Sequence, residues 1–142
     1  MKPVIITQTF EASAEKVWKA ITDLNEMKLW YFGNIDVFRA EPGCKSKFEV
    51  QSGERVFTHL WEVIEVDARK RLVVNWKYAE YPGDSVVVFE LKETANKTEL
   101  MLTMKVLEDF PDDIPEFKRE SCQAGWEFFI QQRLKSYLEI NQ

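Results

Sequence analysis

The chain has 142 residues, 45% of them hydrophobic and 30% charged, with 5 Gly and 5 Pro, which excludes a disordered or collagen-like chain and fits one domain over residues 1–142. Lys and Arg number 19 against 24 Asp and Glu, and the net charge of −5 argues against nucleic acid or anionic lipid as a partner, since both need clustered cations. Cys44 and Cys122 stand far apart beside a single histidine, so neither a zinc site nor a redox dithiol is expected, and no cofactor is implied. The apolar run at the N-terminus is too short for a signal peptide or a membrane span, which reads as a cytoplasmic protein with no membrane insertion.

In chain order, Val4 to Phe10 is β-branched and aromatic and predicts a strand. Ser13 offers a hydroxyl to the free backbone donors of a helix starting near Ala14, whose apolar stripe is Val17, Trp18 and Ile21. Asp23 and Glu26 have capping-box spacing, predicting a second short helix that carries Met27 and Trp30 inward before Gly33 ends it. Strand-like segments follow at Ile35 to Arg39, Lys45 to Gln51, Arg55 to Val66, Arg71 to Ala79, Val86 to Lys92 and Glu99 to Leu107, separated by Gly, Pro, Asp and Asn turns. Arg55 to Val66 has apolar residues on both parities, which a bulge near Trp61 reconciles. Pro115 suits the first turn of a long helix to about Glu139. Along that helix Phe117, Ser121, Ala124 and Phe128 share one side, whereas Trp126, Ile130, Leu134, Tyr137 and Leu138 occupy the other, so the apolar face rotates near Gly125. Two environments for one helix suggest that half of it packs on a sheet while the other half borders a cavity; the alternative is a filled core with a dimer contact through Phe128.

This order is that of an α+β helix-grip fold: a curved antiparallel sheet of about seven strands around a long C-terminal helix, with two short helices after strand one. Phe10, Ala12, Glu15, Val17, Trp18, Ile21, Thr22 and Asp23, followed by Trp30, resemble the opening motif of the heat-shock-protein-90 ATPase activator homologues. Trp61-Glu62-Val63-Ile64-Glu65-Val66, with Leu72 and Trp76, is similar to that family's central strands, and Gly125-Trp126 with Ile130 and Leu134 to its closing helix. The resemblance implies a START-like, polyketide-cyclase-type (SRPBCC) domain. Members of that superfamily bind hydrophobic small molecules, act as cyclases or hydrolases, or contact chaperones. The eukaryotic co-chaperones add a separate N-terminal domain with no counterpart in these residues, so direct chaperone activation is not expected.

The chain carries no nucleophile elbow, P-loop, GxGxxG or HExxH, and its single histidine, His59, has no orienting partner evident in sequence. Trp30, Phe48, Trp76, Tyr78, Phe89, Leu102, Met104 and Phe117 are expected to line the interior, with Ser121 and Tyr78 supplying hydrogen bonds to a mostly apolar ligand. Met27, Trp30, Tyr31 and Phe32 are expected at the cavity mouth, a position helix-grip proteins often use as a rim. The leading expectation is non-catalytic binding of a hydrophobic or amphipathic small molecule by a monomer or homodimer. The alternatives are a cyclase or hydrolase using His59 or a buried carboxylate, and a chaperone-regulatory interaction domain.

Overall fold

The computed structural model describes residues 1–140. Six strands, β1 (Val4–Phe10), β2 (Lys45–Ser52), β3 (Arg55–Asp67), β4 (Arg71–Tyr78), β5 (Asp84–Thr94) and β6 (Lys97–Glu108), form one antiparallel sheet in the order β1-β6-β5-β4-β3-β2. Each strand from β2 to β5 pairs with the next in sequence, and β1 closes on β6 with Ile6 opposite Leu102. The alternating residues read from the sequence point to one face: Phe48 on β2, Leu72, Val74 and Trp76 on β4, Val87, Phe89 and Leu91 on β5, and Leu100, Leu102 and Met104 on β6 are all buried. In β3 the inward series is Phe57, His59, Trp61 and Val63. The predicted bulge lies slightly later, between Val63 and Glu65, where the exposed Ile64 is skipped and Val66 regains the partnership with Leu72.

The sequence predicts a strand over Ile35 to Arg39, and this is a loop, so the sheet has six strands rather than about seven. Side chains take the place of a ladder there. The Asp36 carboxylate accepts from the backbone N–H groups of Val37 (2.7 Å) and Lys47 (3.0 Å), Asn34 donates to the Glu49 carbonyl (2.6 Å), and the Ser46 hydroxyl donates to the Val37 carbonyl. The loop is thereby tied to the β2 edge while Ile35 and Phe38 remain buried, which is why its apolar pattern reads as strand.

The two short helices form where expected: α1 (Ala14–Thr22) is capped by Ser13, and α2 (Leu24–Trp30) by Asp23, whose carboxylate accepts from Glu26 N at 3.1 Å. The C-terminal helix begins later than predicted. Pro115–Phe117 is an isolated 3-10 turn, and α3 runs over Arg119–Trp126. It continues through a π-helical stretch, Glu127–Leu134, into α4 (Lys135–Ile140). The inward residues Trp126, Ile130, Leu134 and Leu138 recur every fourth position. In a regular α-helix that spacing drifts about 40° per step, and the wider i to i+5 turns compensate, so one face stays on the sheet. Of the other predicted face, Ser121, Ala124 and Phe128 are exposed, whereas Phe117, in the separate 3-10 turn, is buried. The helix is fastened on both flanks. Arg119 donates to the carbonyls of Lys2 and Pro3 and Gln131 to that of Thr7, while Arg133 donates to the Leu29 carbonyl and the Tyr137 hydroxyl to Glu26.

Candidate functional site

Between the sheet and α3 lies a cavity of about 130 Å³, lined by Trp76 and Tyr78 of β4, Val87 of β5, Met104 of β6, Tyr31 and Phe32 just past α2, and Glu116, Cys122, Gly125, Trp126 and Phe129. The volume is smaller than a drug-sized pocket and close to that needed for one aromatic ring. A larger concavity of about 940 Å³ lies outside, around Phe110, Asp112, Asp113 and Phe117, and opens to solvent. We place the candidate site in the smaller space because aromatic rings with polar tips converge there.

Of the residues named from sequence, Trp76, Tyr78 and Met104 line this cavity. Trp30 and Phe89 line a neighbouring void of about 20 Å³. Phe48 packs beside them on Phe32, His59 and Trp61, and Leu102 is fully buried core. Phe117 belongs to an outer aromatic cluster with Phe57, Tyr78, Tyr81 and Phe110. Ser121 is a correction: it faces solvent, because the helix starts at Arg119 and turns Cys122 inward instead. The cavity residues left out of the expected ligand contacts include Tyr31, Cys122, Gly125, Trp126 and Phe129. The last four have the i, i+3, i+4, i+7 spacing of one helix face, a signal present in the sequence.

Tyr31 sits at the hub of the rings. It stacks on Trp30 (5.0 Å), Trp61 (5.7 Å) and Trp126 (6.0 Å) and meets Phe129 edge-on at 4.7 Å. The Tyr78 hydroxyl accepts from Trp76 Nε1 at 2.9 Å and keeps its own proton to donate. Burial raises the pKa of both tyrosines, so both stay neutral donors. Burial also pushes the Cys122 thiol up to about 11, and its sulfur lies 3.8 Å from the carbonyls of Glu116 and Phe117. A protonated, buried thiol is a poor nucleophile.

His59 is buried among Phe32, Phe48, Trp76 and Tyr78, lying flat on Phe48 at 4.7 Å. Its Nδ1 is 3.0 Å from the Phe57 carbonyl, which can only accept, so this pairing assigns the proton to Nδ1. Burial lowers its pKa to about 4, outweighing the opposing pull of the Phe57 carbonyl and of Glu80. Partial desolvation pushes Glu80 up, yet hydrogen bonds from the Thr58 hydroxyl and backbone hold it below the ordinary carboxylate value. At the rim, Glu116 accepts from Ser52 at 2.8 Å and pairs with Arg55 at 3.3 Å, tying the 3-10 turn to the β2–β3 hairpin. Among the described residues no group of three His, Cys, Asp or Glu side chains is placed to hold a metal ion, and no helix is long and apolar enough to cross a membrane.

The sequence matches the family model described as Activator of Hsp90 ATPase homolog 1-like protein over residues 11–139. The chain belongs to this family. The Hsp90-activator-like assignment agrees with the START-like, helix-grip architecture, and solved structures share it. DynU16, from the dynemicin biosynthetic locus, is 25% identical with a TM-score of 0.78; the match covers 100% of this chain and 49% of that one, so this chain spans about half of DynU16. Mll3558 from Rhizobium loti is 16% identical with a TM-score of 0.83 over 96% of both chains. The Aha1 dimer from Colwellia psychrerythraea is 22% identical with a TM-score of 0.73 over 100% of this chain and 99% of that one. No curated protein matches the chain in sequence.

Proposed function

We propose that residues 1–142 act as one START-like domain that binds a hydrophobic or amphipathic small molecule between the sheet and the C-terminal helix, without chemistry on it. The observation that carries this reading is the cavity itself, whose lining combines apolar rings with the polar-tipped Tyr31 and Tyr78. An apolar space with a few polar groups is the usual form of a small-molecule site. The family and its fold are compatible with the same use.

The protonation states favour binding over catalysis. A general acid or base works best with a pKa near the working pH. His59 lies far below neutrality, whereas Cys122 and the two tyrosines lie far above it, and all four remain uncharged near pH 7. Native mass spectrometry of the purified chain, against a denatured control, tests the reading. A repeatable stoichiometric added mass that disappears on denaturation supports it. A clean apo mass, followed by a thermal-shift screen in which no hydrophobic compound stabilises the protein, refutes it.

A further inference from the structure

Among the described residues, the buried side-chain nitrogen without a hydrogen-bond partner is Nε1 of Trp61, on a side chain only 4% exposed. An unpaired buried donor costs free energy. Its neighbours avoid that cost: Trp30 Nε1 donates to the Ala20 carbonyl at 2.7 Å and Trp76 Nε1 to the Tyr78 hydroxyl at 2.9 Å. Trp61 forms part of the wall of the 20 Å³ void, which is otherwise almost entirely apolar. That void and the 130 Å³ cavity share two lining residues, Tyr31 and Trp76, so these two rings are the partition between them.

The two halves of the partition are held differently. Trp76 is anchored within β4 and by its hydrogen bond to Tyr78. Tyr31 is the first residue past α2, with φ −109 and ψ −120, and its hydroxyl makes no protein hydrogen bond. Only ring packing fixes its direction, so swinging it aside breaks no polar contact.

The geometry points to a larger ligand site than the resting cavity: Tyr31 moves aside, the two voids join, and the indole N–H of Trp61 donates to a hydrogen-bond acceptor on the ligand. This deepens, and rests on, the ligand-binding reading above. It also names the ligand class. Among the described residues, neither void is lined by Lys or Arg, and Glu116 at the rim is the only charged lining residue. An anion would be buried without a counter-charge. A neutral, flat aromatic molecule with a carbonyl oxygen meets both the apolar walls and the unpaired Trp61 donor.

The test uses the wild-type chain labelled with ¹⁵N-tryptophan and follows the Trp61 indole resonance, assigned through its ring contacts with Phe38 and Phe48. Two probes of the same shape are titrated: acetophenone, and α-methylstyrene, in which a methylene replaces the carbonyl oxygen. Acetophenone is expected to shift the Trp61 indole proton downfield and to bind roughly three- to tenfold tighter, the effect of one net hydrogen bond. Trp61→Phe is expected to bring that preference close to onefold. The two-ring ketone 2-acetylnaphthalene, larger than either void, is expected to bind and shift the same proton. Equal affinity for the two small probes, or an unmoved Trp61 resonance with ketone bound, overturns the assignment of Trp61 while the cavity reading stands. Binding of acetophenone but not of 2-acetylnaphthalene overturns the movable partition. Binding of none of the three overturns the inference, while the cavity reading is decided separately by the native-mass and thermal-shift result above.

Discussion

His59 makes the pH dependence of stability a direct check on how the interior is built. In the unfolded chain it titrates at about the ordinary 6.5, whereas in the aromatic box burial lowers it to about 4. Between those values the unfolded chain takes up a proton that the native state refuses, so native stability falls as the pH drops through this window. It is unaffected by this group above about pH 6.5. The slope approaches ~1.4 kcal/mol per pH unit, and the loss sums to about 2–3 kcal/mol by pH 4.5 and about 3 kcal/mol at full protonation. Against a typical total of about 5–15 kcal/mol this is a large fraction, equivalent to roughly 10 °C in Tm. The assay is urea unfolding from pH 7 to 4.5 for the wild type and His59→Phe, which keeps an aromatic ring on Phe48 and removes the titration. Overpacking by the larger ring can lower the whole curve by about 1–3 kcal/mol, so the shape and not the level is compared. The wild type is expected to lose about 2–3 kcal/mol more than the variant across this range. Parallel curves would refute the reasoning, because they would mean that His59 accepts its proton as readily in the native state as in the unfolded chain.

Gly83 has φ +127, and a Cβ there would lie 2.2 Å from Phe110 Cδ1; Gly83→Ala is therefore expected to cost about 1–3 kcal/mol, partly recovered in a Gly83→Ala, Phe110→Ala double variant measured by urea midpoint. Ala95 holds φ +52 in the β5–β6 turn, so Ala95→Gly is expected to raise stability by up to about 1 kcal/mol in the same assay. Tyr78→Phe removes the acceptor of Trp76 Nε1 and is expected to cost about 1 kcal/mol, whereas Ser121→Ala, on the exposed side of α3, is expected to stay within about 0.5 kcal/mol. Gly125 sits within the C-terminal helix with nothing within 4 Å of an added Cβ, so Gly125→Ala is expected to raise stability by about 0.5–1 kcal/mol. The same methyl trims the cavity, and calorimetry with acetophenone is expected to show weaker binding.

The strands were legible because each carries the period-two pattern of a half-buried sheet, and α1 and α2 because Ser13 and Asp23 are cap residues whose roles are local. Where the sequence misled, nonlocal contacts decide. Ile35 and Phe38 bury as strand residues would, but the Asp36 carboxylate satisfies backbone donors that a ladder would have used. Pro115 does open a helical turn, yet Lys118 leaves helical geometry at ψ 148, so the long helix starts at Arg119 and Phe117 is cut off from the face it is expected to share with Ser121, while Trp126, Ile130, Leu134 and Leu138 face inward together as expected. The ligand contacts expected from sequence therefore include Ser121 and omit Cys122, and the expected cavity face lies one position out of phase with the one that borders the cavity. Tyr31 as the hub was less accessible still, since its neighbours come from α2, β3 and the C-terminal helix at once.

The same helix explains why a cavity exists at all. Its π-helical stretch presents Ile130 and Leu134, both 0% exposed, and clamps that half against the protein. One turn earlier, the residues facing Tyr78, Val87 and Met104 are Cys122 and Gly125, which are too small to fill the distance that Trp126 sets. Larger residues at these two positions would fill part of the space of about 130 Å³ and gain packing against Tyr78, Val87 and Met104. Small residues here thus trade stability for space, and that space is lined by two neutral tyrosines. A helix serving only as a clamp would need neither the gap nor the change of helical geometry that keeps its lower half in place beside it.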